Sequence, residues 1–179
     1  MVESDPVRAW LSLGSNISPR EQIVSAVTAL REMFGELTVS PVYESQAVGF
    51  RGENFLNLVV GIRTQLTPKV LVSVLREIEE SQGRVRGAEK FSSRTLDIDL
   101  LTYGDQIIDS GSLQLPRDEI LRYAFVLLPL SDVAGSERHP VTGQTYRGLW
   151  EAFDASDQPL WQVAEVSGDF GRRDEKRST

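Results

Sequence analysis

Cysteine is absent from all 179 residues, and histidine occurs once, at His139. Those two gaps exclude disulfides, thiolate nucleophiles and the Cys- and His-rich ligand sets of ordinary zinc sites. A Ser-His-Asp triad would have to rest on His139, which precedes Pro140 in a polar stretch with no visible acid–base partner, so His139 reads as structural. Lysine is scarce as well: Lys69, Lys90 and Lys176 are three of 19 cations, against 26 acids and a formal net charge of −7. So acidic a balance argues against a nucleic-acid partner, which usually meets a basic excess. The remaining cations are arginines, which suit bidentate phosphate recognition. No long hydrophobic run exists either. The strongest apolar stretch, Ala124 to Leu130, is seven residues long and contains Pro129, whereas a membrane-spanning helix needs about 20. Residues Met1 to Arg8 carry two acids and a proline in place of the apolar run of a signal peptide. The expectation is a cytoplasmic protein with no membrane contact.

What is present is ordinary globular composition, 40% hydrophobic and 25% charged, over a length that suits one domain. The expected division is a flexible N-terminus over 1–7, a single domain over 8–168 and a disordered charged tail, DFGRRDEKRST, over 169–179. Trp10, Leu11 and Leu13 read as a strand closed by a Gly14-Ser15-Asn16 turn. A helix follows, with Ser18 as N-cap, Pro19 at its first position, Glu21 completing a capping box, Ile23, Val27, Leu30 and Phe34 on one face, and Gly35 as its stop. Leu37 to Tyr43 is a β-rich segment broken by Pro41, and Phe55 to Thr64 is a strand containing a glycine. Thr67 and Pro68 open a second helix that Gly83 is expected to close. Leu96 to Tyr103 begins with strict alternation, which sets Asp97 and Asp99 on one face of a strand and Leu96, Ile98 and Leu100 on the other. Strand, helix, strand, strand, helix, strand is the order of an α+β, ferredoxin-like βαββαβ core with an antiparallel sheet. Additional C-terminal helices are expected around 118–130 and 146–153.

Two aspartates two positions apart on a strand lie about 7 Å apart along the chain and reach one hard-cation site, for which Mg²⁺ with substrate phosphates and water is the natural occupant. Taken alone, such a pair equally describes a solvent-facing edge. The surroundings favour the site: Arg84, Arg86, Lys90 and Arg94 lie just upstream with only Glu89 opposing them. Pairing of Arg94 with the aspartates is the plainer alternative, worth about 0–1 kcal/mol if exposed. Phe55, Asn57 and Phe125 could sandwich and hydrogen-bond a flat heterocycle, or Phe55 and Phe125 could simply be core. No G-x-x-x-x-G-K-[ST] loop and no protein-kinase motif set is present, so nucleotide binding would use another scaffold.

The string KFSSRTLDIDLL, Lys90 to Leu101, resembles the signature of the 6-hydroxymethyl-7,8-dihydropterin pyrophosphokinase family. LSLGSN at 11–16, VYESQAVG at 42–49, FLN at 55–57, QGRVR at 82–86 and AFVLLPL at 124–130 agree with it in order and spacing. The resemblance implies a ferredoxin-like fold and transfer of a pyrophosphoryl group from ATP to a dihydropterin. It also implies two Mg²⁺ ions held by Asp97 and Asp99, with Arg84 and Arg94 as the catalytic arginines. Phe55 and Phe125 would stack on the pterin while Asn57, Ser45 and Val48 read its edge, and the ATP side would comprise Glu79, Arg86, Phe91, Ile98 and Arg117. The chain's size together with the resemblance implies a monomer. The chain departs from the family pattern at Arg117, where a histidine is usual, and at Tyr123, where an arginine is usual and Arg122 stands alongside as a substitute. Those departures motivate one rival reading, a pterin- or nucleotide-binding paralogue without turnover, and the same transfer to a related pterin is a second that the sequence does not separate from the main one. An RNA-recognition module on a similar sheet is the third, disfavoured by the net charge of −7.

Overall fold

The computed structural model describes residues 5–46, 53–83 and 96–164. The chain alternates strands and helices in the order β1 (Val7–Ser15), α1 (Pro19–Phe34), β2 (Thr38–Val39), β3 (Tyr43–Ser45), β4 (Phe55–Thr64), α2 (Pro68–Gly83) and β5 (Asp97–Tyr103). A β6 (Ile108–Ser110) and β7 (Leu113–Leu115) hairpin, α3 (Glu119–Arg122), α4 (Ala124–Ala134), α5 (Tyr146–Glu151) and β8 (Leu160–Gln162) follow. The main sheet is antiparallel throughout, in the order β5-β1-β4-β3-β8, with β2 paired to β4 beside β3. Among the described residues no helix is long and apolar enough to cross a membrane.

Strand parity builds two cores. Leu11, Leu13, Leu58, Val60, Ile98 and Leu100 point to one face of the sheet, where they meet Ile23, Val27 and Leu30 of α1 and Leu71, Leu75 and Ile78 of α2. Trp10, Val59 and Leu101 point to the other and meet Val126, Leu127 and Leu130 of α4 and Tyr146 of α5. Each of these side chains contributes about 1.5–3 kcal/mol on burial. A register shift at Trp10/Leu11 in the β1–β5 ladder lets both Leu101 and Tyr103 face packed surfaces, on opposite sides. Gly61 in β4 stands directly across from Trp10, and a Cβ there would lie 2.5 Å from the indole ring, which explains the glycine inside an otherwise apolar strand.

Two local expectations are corrected. Gly14 and Ser15 belong to β1 rather than to a turn, and Ser15 and Asn16 are buried. The capping box of α1 does not form. Ser18 occupies the N-cap position at φ 42°, in the left-handed region, and its side chain makes no capping bond, because a side-chain cap needs extended backbone there. The β-rich segment breaks at Pro41 as read, with β2 before the proline and β3 after it. Gly35, at φ 81°, ends α1 as expected. The proposed tail over 169–179 lies outside the described residues.

His139 is 3% exposed, and its Nδ1 accepts the backbone N–H groups of Val141 and Thr142, each at 3.2 Å. Burial pushes its pKa down. It is a turn-forming histidine packed edge-on to Tyr146.

Candidate active site

The helices of the second core cover only part of their sheet face. Beyond them, the same parity that buries Trp10 and Val59 leaves Ser12, Gly14, Phe55, Asn57, Asp97 and Asp99 along an open cavity of about 330 Å³, a size typical of small-molecule sites. Two cross-strand rows supply its floor, Asp97, Gly14 and Asn57 in one and Asp99 and Ser12 in the next, and the rows continue to Tyr43 and Val59, which do not line the cavity. Ser45 pairs with Phe55 at the β3–β4 edge. Tyr123 and Phe125, at the start of α4, form the facing wall.

Asn57 is 4% exposed and its Nδ2 donates to Ser45 Oγ at 2.9 Å, which fixes the orientation of the amide. A Cβ on Gly14 would lie 3.1 Å from Asn57 Oδ1, so the glycine leaves the carboxamide its space. Tyr123 and Phe125 stack with ring centroids 5.0 Å apart and 17° between planes. The far side of the cavity is ionic. Arg117 forms a bidentate pair with Glu119, both contacts at 3.0 Å, and its Nη1 lies 3.9 Å from Asp99 Oδ1. Burial opposes the charge on Arg117, but the hydrogen bond to Glu119 and the neighbouring carboxylates outweigh it and raise its pKa. Burial would raise Glu119 too, yet the bond from Arg117 and the surrounding cations lower it.

Of the residues singled out in the sequence, Ser45, Phe55, Asn57, Asp97, Asp99, Arg117 and Phe125 meet at this cavity. Glu79 and Ile98 do not line it. Glu79 Oε1 accepts the Ile98 N–H at 2.9 Å, tying α2 to β5 between the two aspartates, while the Ile98 side chain is buried in the opposite core. Val48, Arg84, Arg86, Phe91 and Arg94 lie outside the described residues. Arg122, the substitute cation, is not in the lining; it pairs with Asp118 at 3.1 Å and lies 5.4 Å from the Tyr123 ring centre. Ser12 and Gly14, together with Gln46, Leu101, Glu119, Tyr123 and Val126, also line the cavity without a site role read from the sequence. Alternation from Trp10 onward would have found the first two.

Asp97 and Asp99 suit a hard cation. Among the described residues no group of three or more His, Cys, Asp or Glu gathers to enclose an ion, so a cation here would draw its other ligands from water and substrate oxygens, as Mg²⁺ does.

Residues 10–135 match the family model described as 7,8-dihydro-6-hydroxymethylpterin-pyrophosphokinase (HPPK). A 2-amino-4-hydroxy-6-hydroxymethyldihydropteridine pyrophosphokinase of Pseudomonas aeruginosa is 39% identical over 137 residues, 74% of this chain and 84% of the relative. A protein of the same name from Haemophilus influenzae is 36% identical over 132 residues, 72% of this chain and 82% of the relative. Among solved structures, Plasmodium falciparum HPPK-DHPS with pteroate superposes with a TM-score of 0.65 at 17% identity, over 84% of this chain and 43% of that one. The chain thus spans less than half of that structure's chain, and at such identity the likeness shows the fold alone, mixed helices on an antiparallel sheet.

Proposed function

Since the chain belongs to the 7,8-dihydro-6-hydroxymethylpterin-pyrophosphokinase family, a family of diphosphate transferases in folate biosynthesis, we propose that it transfers pyrophosphate from ATP to 6-hydroxymethyl-7,8-dihydropterin with Mg²⁺, releasing AMP. The observation that carries this reading is one cavity with two chemistries. Phe55, Phe125 and a buried, oriented Asn57 stand at one end, and Asp97, Asp99 and Arg117 at the other. A flat, hydrogen-bonding ring suits the first set and a cation-bound polyphosphate the second. The strand order, with β5 and β4 flanking β1 and β3 beyond β4, supports a ferredoxin-like core with added C-terminal helices.

In this reading Phe55 and Phe125 hold the two faces of the pterin, while Asn57, with Ser45 behind it and Val48 nearby, reads the edge. Asp97 and Asp99 would hold two Mg²⁺, which neutralise charge on the phosphates. Arg117, held by its bidentate pair with Glu119, meets phosphate oxygens at the same end. Arg84 and Arg94 steady the charge that develops in transfer, and Glu79, Arg86, Phe91 and Ile98 complete the ATP side. The pterin hydroxymethyl oxygen attacks the β-phosphorus in line and AMP leaves, so alignment and charge complementarity supply the acceleration without a covalent intermediate. The enzyme would act as a cytoplasmic monomer.

Purified protein with ATP, Mg²⁺ and the dihydropterin, followed by chromatography, should form AMP only when the pterin is present. ADP instead of AMP, or no nucleotide product at all, would refute pyrophosphoryl transfer. Retained pterin binding without AMP would favour the non-catalytic paralogue that Arg117 and Tyr123 suggest, and AMP formed faster with another 6-substituted pterin would reassign the substrate.

A further inference from the structure

The aromatic wall of the cavity stands on a helix start that does not cap itself. Tyr123 occupies the N-cap position of α4 in extended conformation and makes no side-chain cap bond, as expected of a residue with no short acceptor side chain. The exposed polar groups of that turn are instead met from 34 to 36 residues away. Gln158 Oε1 accepts the Ala124 N–H at 2.8 Å and its Nε2 donates to the Arg122 carbonyl at 3.0 Å. One carboxamide therefore brackets Tyr123 from both sides in sequence, and Phe125 follows directly. Gln158 lies beyond residues 10–135 that match the family model.

That segment is itself anchored to the opposite wall. Two residues after Gln158 the chain enters β8, where Leu160 pairs with Ser45 and Trp161 with Glu44. The Trp161 indole N–H donates to Glu44 Oε2 at 3.0 Å, and the Val163 N–H reaches the Val42 carbonyl at 2.8 Å. At its other end a turn with Gln158 N–H on the Ala155 carbonyl, 3.0 Å, presents the side chain. Residues 158–160 thus link the strand edge carrying Ser45 to the turn carrying the stacked Tyr123 and Phe125.

We propose that Gln158 is a positioning residue for the flat-ligand half of the cavity, holding the 122–124 turn at a fixed distance from β3 so that the stacked Tyr123–Phe125 pair faces Phe55 and Asn57 across a constant gap. The ligand's identity as a dihydropterin rests on the function proposed above. Two side-chain hydrogen bonds are lost in Gln158→Ala, whereas Gln158→Glu keeps the acceptor for Ala124 N–H and loses only the donor to the Arg122 carbonyl.

The test uses the full chain. Affinity for the dihydropterin is measured with Mg²⁺ and α,β-methylene-ATP, whose bridging carbon blocks release of AMP, and affinity for that nucleotide is measured separately. Ala124 amide exchange and the ring-to-ring nuclear Overhauser effect between Tyr123 and Phe125 are measured on the free protein. Gln158→Ala should speed Ala124 exchange, weaken the ring contact and lower pterin affinity about five- to tenfold, or about 1–1.4 kcal/mol. Nucleotide affinity should stay within about twofold, and Gln158→Glu should fall between. Unchanged pterin affinity alongside faster Ala124 exchange would make Gln158 a cap and nothing more. An equal loss for both ligands, or a collapse in Tm, would make its role general stability, and either result overturns the proposal. If the wild type binds no pterin, the ligand reading fails, and the ring contact alone decides: its loss in Gln158→Ala sustains the positioning role and its persistence refutes it.

Discussion

Gly14→Ala is the most informative single methyl group in this molecule. At a strand position an alanine stabilises by about 0.4–1 kcal/mol through the unfolded chain if it fits. Here the new Cβ would stand 3.1 Å from Asn57 Oδ1, and Asn57 cannot retreat freely because it is buried and its Nδ2 is bonded to Ser45 Oγ at 2.9 Å. Either the carboxamide turns and leaves a buried polar group without its partner, at about 1–3 kcal/mol, or the β1–β4 ladder spreads. The difference is a net destabilisation of about 1 kcal/mol, which for a domain of this size lowers Tm by about 2–4 °C. A comparable effect falls on the proposed ligand. In the proposed complex a turned carboxamide would forfeit one hydrogen bond to the pterin edge, about 0.5–1.5 kcal/mol, so affinity should drop by roughly two- to tenfold. Differential scanning calorimetry and pterin titration of Gly14→Ala, with Ser45→Ala as a companion that frees the amide by removing its acceptor, measure both. A Tm raised by the full alanine gain with unchanged pterin affinity would refute the claim that Gly14 exists to seat Asn57.

Glu119→Gln should slacken Arg117, because the bidentate carboxylate is what fixes the guanidinium 3.9 Å from Asp99. The KM for ATP should rise a few-fold and that for pterin stay put, and the reverse pattern in steady-state kinetics would place Arg117 elsewhere in the reaction. His139 predicts a pH effect on stability alone. Its folded pKa lies below its ordinary value through burial, so the unfolded chain takes up the proton first. Its contribution is complete above about pH 6.5 and is lost as pH falls from there toward the folded value. Urea unfolding at pH 7.5 and 5 should therefore show a smaller pH dependence in His139→Ala than in the wild type, with kcat unchanged. A large fall in kcat would give the histidine a chemical role that its position does not suggest.

How much of this was legible in the sequence depends on the range of the interaction. Alternation over 96–100 puts Asp97 and Asp99 on one face, and the strand does so. Helical spacing from Ile23 to Leu30 defines the buried face of α1, which packs as read. Ser12 and Gly14 obey the same alternation, but a Gly-Ser-Asn string also describes a turn, and only pairing with β4 and β5 decides for the strand. Ser18 and Glu21 have capping spacing, yet the backbone entering α1 takes a left-handed conformation that the spacing does not encode. The cavity's remaining parts are tertiary. Glu119 matters because the 117–119 bend returns its carboxylate to Arg117, and Tyr123 because its ring meets Phe125. Gln158 bonds across more than 30 residues, a pairing that no local pattern announces.

In the proposed reading one cavity joins a ring-binding end to a carboxylate pair that serves transfer. Pterin binding and pterin-dependent AMP formation, measured side by side on Asp97→Asn and Asp99→Asn, test it most directly. Removing either charge while keeping the side chain's shape should cost at least about 100-fold in AMP formation, as loss of a transition-state charge contact of about 2.7 kcal/mol or more does. Tm and the Tyr123–Phe125 ring contact should be preserved. Near-normal AMP formation in both variants would contradict the account.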